Sequence, residues 1–176
     1  MKTIAAGVLC AALSGCAAWG GEKTDAQGWT YFSAAAKATD KKNGYEITFP
    51  EGWRFWIDPA RMTFGRPDRA LSGSVYVYAL KDDEGLRSFF DTERAKALLL
   101  NFDLTDLKLC RVCGRNAFKL EVIDKHGPTG LKMSVYYVVA GGRGYALWFS
   151  ALYPYFDTSA KDIDAIVTSF KLLKTE

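Results

Sequence analysis

Cys110 and Cys113, in Cys110-Arg111-Val112-Cys113, are the residues of this chain whose spacing most directly suggests chemistry. A CxxC pair carries out thiol–disulfide exchange when one sulfur is held as a thiolate, usually at a helix N-terminus or beside a cation. Here the pair falls in Leu107 to Ile123, which reads as a strand hairpin bending near Gly114-Arg115-Asn116. No helix dipole is then in reach. A zinc site needs about four ligands, and there is neither a second CxxC nor a histidine pair. Residues three apart on a straight strand are about 10 Å apart, whereas the Cα atoms of a disulfide lie about 4.4–6.8 Å apart. A disulfide would therefore need a bend at the turn. The reading these facts favour is structural, a disulfide or two buried thiols, with a redox pair as the alternative.

The other reactive types are less suggestive. His126 is the only histidine and lies in the turn cluster His126-Gly127-Pro128-Thr129-Gly130. With Asp124 nearby but no nucleophile motif, it reads as a solvated loop residue. Asp82-Asp83-Glu84 and the pair Asp103 and Asp106 lack the alternating ligands, central glycine and closing glutamate of a calcium loop. Gly141-Gly142-Arg143-Gly144 lacks the lysine and the strand-to-helix setting of a phosphate loop and reads as a hairpin turn. The expectation is no catalytic residue, no metal site and no cofactor. Among the aromatics, Trp53 and Trp148 read as core residues. Trp56 faces the other way from Trp53 if that segment is extended, and is the candidate binding surface.

Composition bounds the class. The chain has 176 residues, 49% hydrophobic and 24% charged, with a formal net charge of +3. No dense basic run is present, so nucleic acid is not an expected partner. The two classes that remain are a binding or accessory module and, through Cys110 and Cys113, a thiol–disulfide protein.

Periodicity places these residues on elements. Tyr45, Ile47 and Phe49 alternate on one face of a strand, closed by Pro50-Glu51-Gly52. Trp53 to Ile57 and Met62 to Phe64 read as short extended segments, and Lys37 to Gly44 as a polar stretch ending in a turn. Ser74 to Leu80 is a strand with both faces covered, and a helix has its surest part from Asp91 to Phe102, with Ala95, Leu98, Leu99 and Phe102 as its apolar stripe. Two hairpins follow, Leu107 to Ile123 and Leu131 to Leu152. A last helix, capped by Asp157, Thr158 or Ser159, carries the stripe Ile163, Ile166, Val167, Phe170. Hairpins require antiparallel neighbours, and two amphipathic helices must bury their stripes on the sheet. The fold class is α+β, an antiparallel sheet covered by helices.

Two resemblances add to this reading. Lys2, the apolar run Ile4 to Leu13 and the closing Leu13-Ser14-Gly15-Cys16 have the form of a secretory signal. The last four residues resemble the lipobox of bacterial lipoproteins. That resemblance implies a signal peptide over 1–15, a diacylglyceryl group on Cys16, cleavage before Cys16 and acylation of the new amino terminus. Removing Lys2 leaves a net charge of about +2. Residues 16–28 read as a flexible tether and 29–176 as one domain. The partner so implied is a membrane, reached through the lipid, in the cell envelope. Ala17 in place of Asp implies an outer membrane facing the periplasm if the host is Gram-negative. The second resemblance rests on Tyr45-Glu46-Ile47-Thr48-Phe49-Pro50-Glu51-Gly52-Trp53, Val112-Cys113-Gly114-Arg115-Asn116-Ala117, Tyr145-Ala146-Leu147-Trp148-Phe149-Ser150-Ala151 and Ile166-Val167-Thr168-Ser169-Phe170-Lys171. Together they resemble bacterial PsbP-like domains. This implies an antiparallel sheet between helices, an α/β/α sandwich, and no reaction. The expected role is a non-enzymatic binding or accessory lipoprotein, its ligand and protein partner unspecified.

Overall fold

The structure, a computed structural model, describes residues 22–24, 30–32, 35–66, 68, 70–81, 84–99, 103–124 and 130–173. The proposed signal peptide, Cys16 and His126 lie outside the described residues. In chain order the elements are β1 (Glu22–Thr24), β2 (Thr30–Phe32), β3 (Ala36–Asp40), β4 (Tyr45–Phe49), β5 (Arg54–Ile57), β6 (Arg61–Gly65) and β7 (Ser72–Ala79). Helix α1 (Leu86–Leu99) precedes the two long hairpins, β8 (Asp103–Val112) with β9 (Arg115–Asp124) and β10 (Leu131–Ala140) with β11 (Arg143–Leu152). The chain ends in α2 (Tyr153–Phe156), a 3-10 turn over Asp157–Ser159, α3 (Ala160–Ser169) and β12 (Lys171–Leu172).

Nine strands form one antiparallel sheet in the order β1-β2-β5-β6-β7-β11-β10-β9-β8, and β12-β4-β3 form a second of three. The small sheet and α3 cover one face of the large sheet. Tyr45, Ile47 and Phe49 of β4 and Ile163, Ile166, Val167 and Phe170 of the α3 segment meet Val75, Tyr145, Leu147 and Phe149 in one buried cluster. Both sequence stripes are therefore core, because alternation on a strand and i, i+3, i+4, i+7 spacing on a helix each put apolar groups on one side. Helix α1 covers part of the opposite face through Phe89 and Phe90, which pack with Leu120, Val122, Val135 and Tyr137. This is the α+β antiparallel architecture read from the pattern of hairpins and helices.

Several boundaries differ from the sequence reading. The helix begins at Leu86, and two of the proposed stripe residues are not buried: Ala95 is exposed and Leu98 is 51% exposed, while the Leu99 side chain and Phe102 lie outside what is described. Phe89, Phe90, Glu93 and Ala97 face inward instead. Phe89 and Phe90 each bury a large aromatic side chain against the sheet, and that burial sets the rotation of the helix. Lys37 to Asp40, assigned to a polar stretch, lie in the strand Ala36–Asp40, whose Ala38 and Asp40 are buried. Its exposed Lys37 and Thr39 hide the alternation. Glu22–Thr24, assigned to the tether of residues 16–28, pairs antiparallel with Thr30–Phe32 and extends the large sheet. An edge strand is held by its backbone ladder and needs no apolar side chains. No side chain caps α3: α2 and the 3-10 turn lead straight into it, and the Ser159 hydroxyl donates to the Tyr155 carbonyl.

Candidate functional site

The hairpin β8–β9 fixes the cysteines. Val112 is level with Arg115, so Cys113 and Gly114 alone form the loop, with φ of 45° and 76°. Two positive φ angles are what a tight hairpin needs to follow strand twist. The bend thus falls one residue earlier than the sequence suggests. Cys110 lies on the strand opposite Ala117, and both sulfurs are free, half-buried thiols packed against the core. Burial pushes the Cys110 thiol up, opposed by Lys119, and pushes the Cys113 thiol up, opposed by Arg115. A redox cysteine needs the opposite shift. Among the described residues, no group of three or more His, Cys, Asp and Glu side chains is placed to hold a metal ion.

Trp56 is 45% exposed whereas Trp53 is buried. The strand registers place Trp56 level with Thr63, Thr63 with Ser74, and Ser74 with Trp148. Partners in register share a face, so two indoles bracket two hydroxyls on one transverse row of the sheet. The next row adds Ser72 and Ser150, whose oxygens are 3.0 Å apart. This is the face that α1 covers, but α1 covers only part of it. Phe89 sits against Gly144, where a Cβ would come within 2.8 Å of the ring, and the rest of the helix follows that contact. Among the described residues, the hydroxyl rows are left open beside it.

The result is a pocket of about 180 Å³ lined by Thr63, Ser72, Ser74, Tyr76, Trp148 and Ser150, with Leu131 and Met133 at one side. The Arg61 guanidinium donates to the Tyr76 hydroxyl at 2.6 Å, and the Tyr76 and Trp148 rings meet edge to face at 6.2 Å. The Trp148 indole N–H is buried and has no hydrogen-bond partner among the described residues. An unpaired buried donor costs about 1–3 kcal/mol, and the Trp148 ring that carries it lines the pocket. The pocket was missed because Ser74 to Leu80 reads as a strand covered on both faces. The available signal was the alternation of Ser72, Ser74 and Tyr76, and of Trp148 and Ser150, on two paired strands.

No protein-family model matches the chain, and no curated protein matches it. Solved structures do. Cyanobacterial PsbP (CyanoP) from Synechocystis sp. PCC 6803 superposes with a TM-score of 0.62 at 19% identity, covering 80% of this chain and 94% of that one. A Pseudomonas aeruginosa protein of unknown function gives 0.56 at 11% identity, covering 81% and 99%. The Saccharomyces cerevisiae Ran-binding protein Mog1p gives 0.55 at 10% identity, covering 81% and 97%. At these identities the likeness is one of fold. The chain has a PsbP-like α+β fold, as the motif resemblance implied.

Proposed function

We propose that this protein is a lipid-anchored lipoprotein of the cell envelope whose domain is a non-enzymatic binding module. Leu13-Ser14-Gly15-Cys16, after the apolar run, supports the anchor. No helix among the described residues is long and apolar enough to cross a membrane, so lipid on Cys16 would supply the attachment. The observation that carries the binding reading is the hydroxyl-lined pocket with the Trp148 ring at its wall. Its chemistry suits a small neutral group rich in hydrogen-bond acceptors, stacked on Trp148 or Tyr76. That a yeast protein of this fold is Ran-binding supports the fold as a platform for recognition. A thiol–disulfide role is not favoured, because both thiols are shifted away from the thiolate.

In-cell photocrosslinking tests this reading. A photoreactive side chain at position 74 should give a discrete adduct that one at exposed Thr168 on α3 does not. Cys16→Ser should move the protein out of the membrane fraction. Equal labelling from both positions would remove the pocket as the binding site. A Cys16→Ser protein that stays membrane-bound and correctly cleaved would remove the anchor.

A further inference from the structure

The pairing of Glu22–Thr24 into the sheet shortens the link to the anchor and fixes which edge of the large sheet lies near it. Cys16 is seven residues from Lys23, about 25 Å at full stretch. Lys23 is level with Tyr31, and Tyr31 with Arg54. Two strand spacings across and two residues along put Trp56 about 12 Å from Lys23. The opposite edge, β8, is eight spacings from β1, about 38 Å away. Its exposed Leu107 and Leu109 are therefore on the far side of the domain from the anchor.

The β5–β6 hairpin tip, on the near side, has the composition of a bilayer-contacting surface. Trp56 is 45% and Ile57 38% exposed, on opposite faces of β5, and Pro59 and Ala60 are exposed beside them. The one acid of the tip, Asp58, is turned into the loop: it accepts from the backbone N–H groups of Ala60 and Arg61 at 2.8 and 3.0 Å. Its charge is further offset by the Arg61 Nε at 3.7 Å. Lys42 reaches over to donate to the Pro59 carbonyl at 3.4 Å, and Lys41, exposed, precedes it. An indole and an aliphatic side chain ringed by lysine and arginine suit the boundary between headgroups and acyl chains, and the cations suit anionic lipid.

We propose that the β5–β6 tip, through Trp56 and Ile57 flanked by Lys41, Lys42 and Arg61, docks on the anionic lipid surface that holds the Cys16 anchor. This rests on the lipoprotein reading of Cys16. Docking would hold the domain in one orientation at the membrane rather than let it swing.

Hydrogen exchange on the full-length lipidated protein tests this. The protein is reconstituted in phosphatidylcholine–phosphatidylglycerol vesicles, and full-length Cys16→Ser protein in buffer is the reference. Lipidation is checked by mass and attachment by flotation. The expected result is exchange slowed several-fold at 57–61 and unchanged at the Cys113-Gly114 turn. The slowing should be lost in the lipidated Trp56→Ser/Ile57→Ser protein while it still floats, and should weaken in phosphatidylcholine alone. Unchanged exchange at 57–61 in a lipidated, floating protein overturns the docking and leaves the anchor intact. A mass without lipid overturns the anchor and the docking together. Protection seen in envelope membranes but not in lipid vesicles overturns lipid as the occupant and assigns the tip to a protein.

Discussion

Replacing Gly144 by alanine tests where α1 sits, and so why the pocket beside it is open. Gly144 pairs with Tyr78 and Val139 on the face under the helix, and its φ is not positive. Alanine there would ordinarily stabilise by about 0.4–1 kcal/mol, through a less flexible unfolded chain. The structure reverses that sign. A Cβ would lie 2.8, 2.8 and 2.9 Å from three atoms of the Phe89 ring. Ordinary contact would require the ring to retreat by about 0.6 Å or more. It has little room, because Tyr78 stands 5.3 Å and Tyr137 5.7 Å from it, centroid to centroid. Overpacking of this kind costs about 1–3 kcal/mol. For a domain of this size that lowers Tm by about 2–12 °C, at about 2–4 °C per kcal/mol. Thermal and urea unfolding followed by circular dichroism would measure it. In a Phe89→Leu background the clash is relieved, and Gly144→Ala should become neutral or stabilising, a coupling of about 1–4 kcal/mol. A Gly144→Ala protein more stable than the parent, or the same cost in both backgrounds, would refute the seating of Phe89 on Gly144.

The thiols and the buried phenols give two further expectations. Native Cys110 and Cys113 should react with iodoacetamide more slowly than the urea-unfolded chain at pH 8, because burial raises both thiols; faster alkylation of either native sulfur at pH 7 would revive the redox reading. The hydroxyls of Tyr45, Tyr78 and Tyr137 are raised well above the ordinary phenol value, in each case first by burial. The unfolded chain then loses its phenolic protons first, so the stability these groups contribute is complete below pH of about 10 and is lost as pH rises beyond it. Urea midpoints measured from pH 7 to 11 should fall steeply above 10. Tyr137→Phe should flatten that fall and cost little at neutral pH, since its hydroxyl is buried without a partner among the described residues.

What was legible in the sequence was carried by regular periods. The alternation of Tyr45, Ile47 and Phe49 and the stripe on α3 appear as core in the structure, and the two hairpins appear as paired strands, because each is repeated enough to leave one solution. Exposure of Trp56 followed from counting faces along β5. The buried stripe of helix α1, Phe89, Phe90, Glu93 and Ala97, has helical spacing but is hidden in the sequence by the charge of Glu93, while Ala95 and Leu98, which also obey that spacing, face solvent. Strands β1 and β3 were missed because their membership is decided by neighbouring backbone rather than by their own side chains. The pocket belongs to the same kind of information. Ser72 and Ser74 on β7 and Trp148 and Ser150 on β11 are ordinary strand residues taken separately. They become a site only through the register that aligns them and through a helix whose rotation is set elsewhere, at the Phe89–Gly144 contact. A helix turned to bury Ala95 and Leu98 would have no reason to seat that ring there, and the extent of the open face would be different. The candidate site is therefore a consequence of tertiary packing, and the Gly144 variants probe it without touching a residue that lines it.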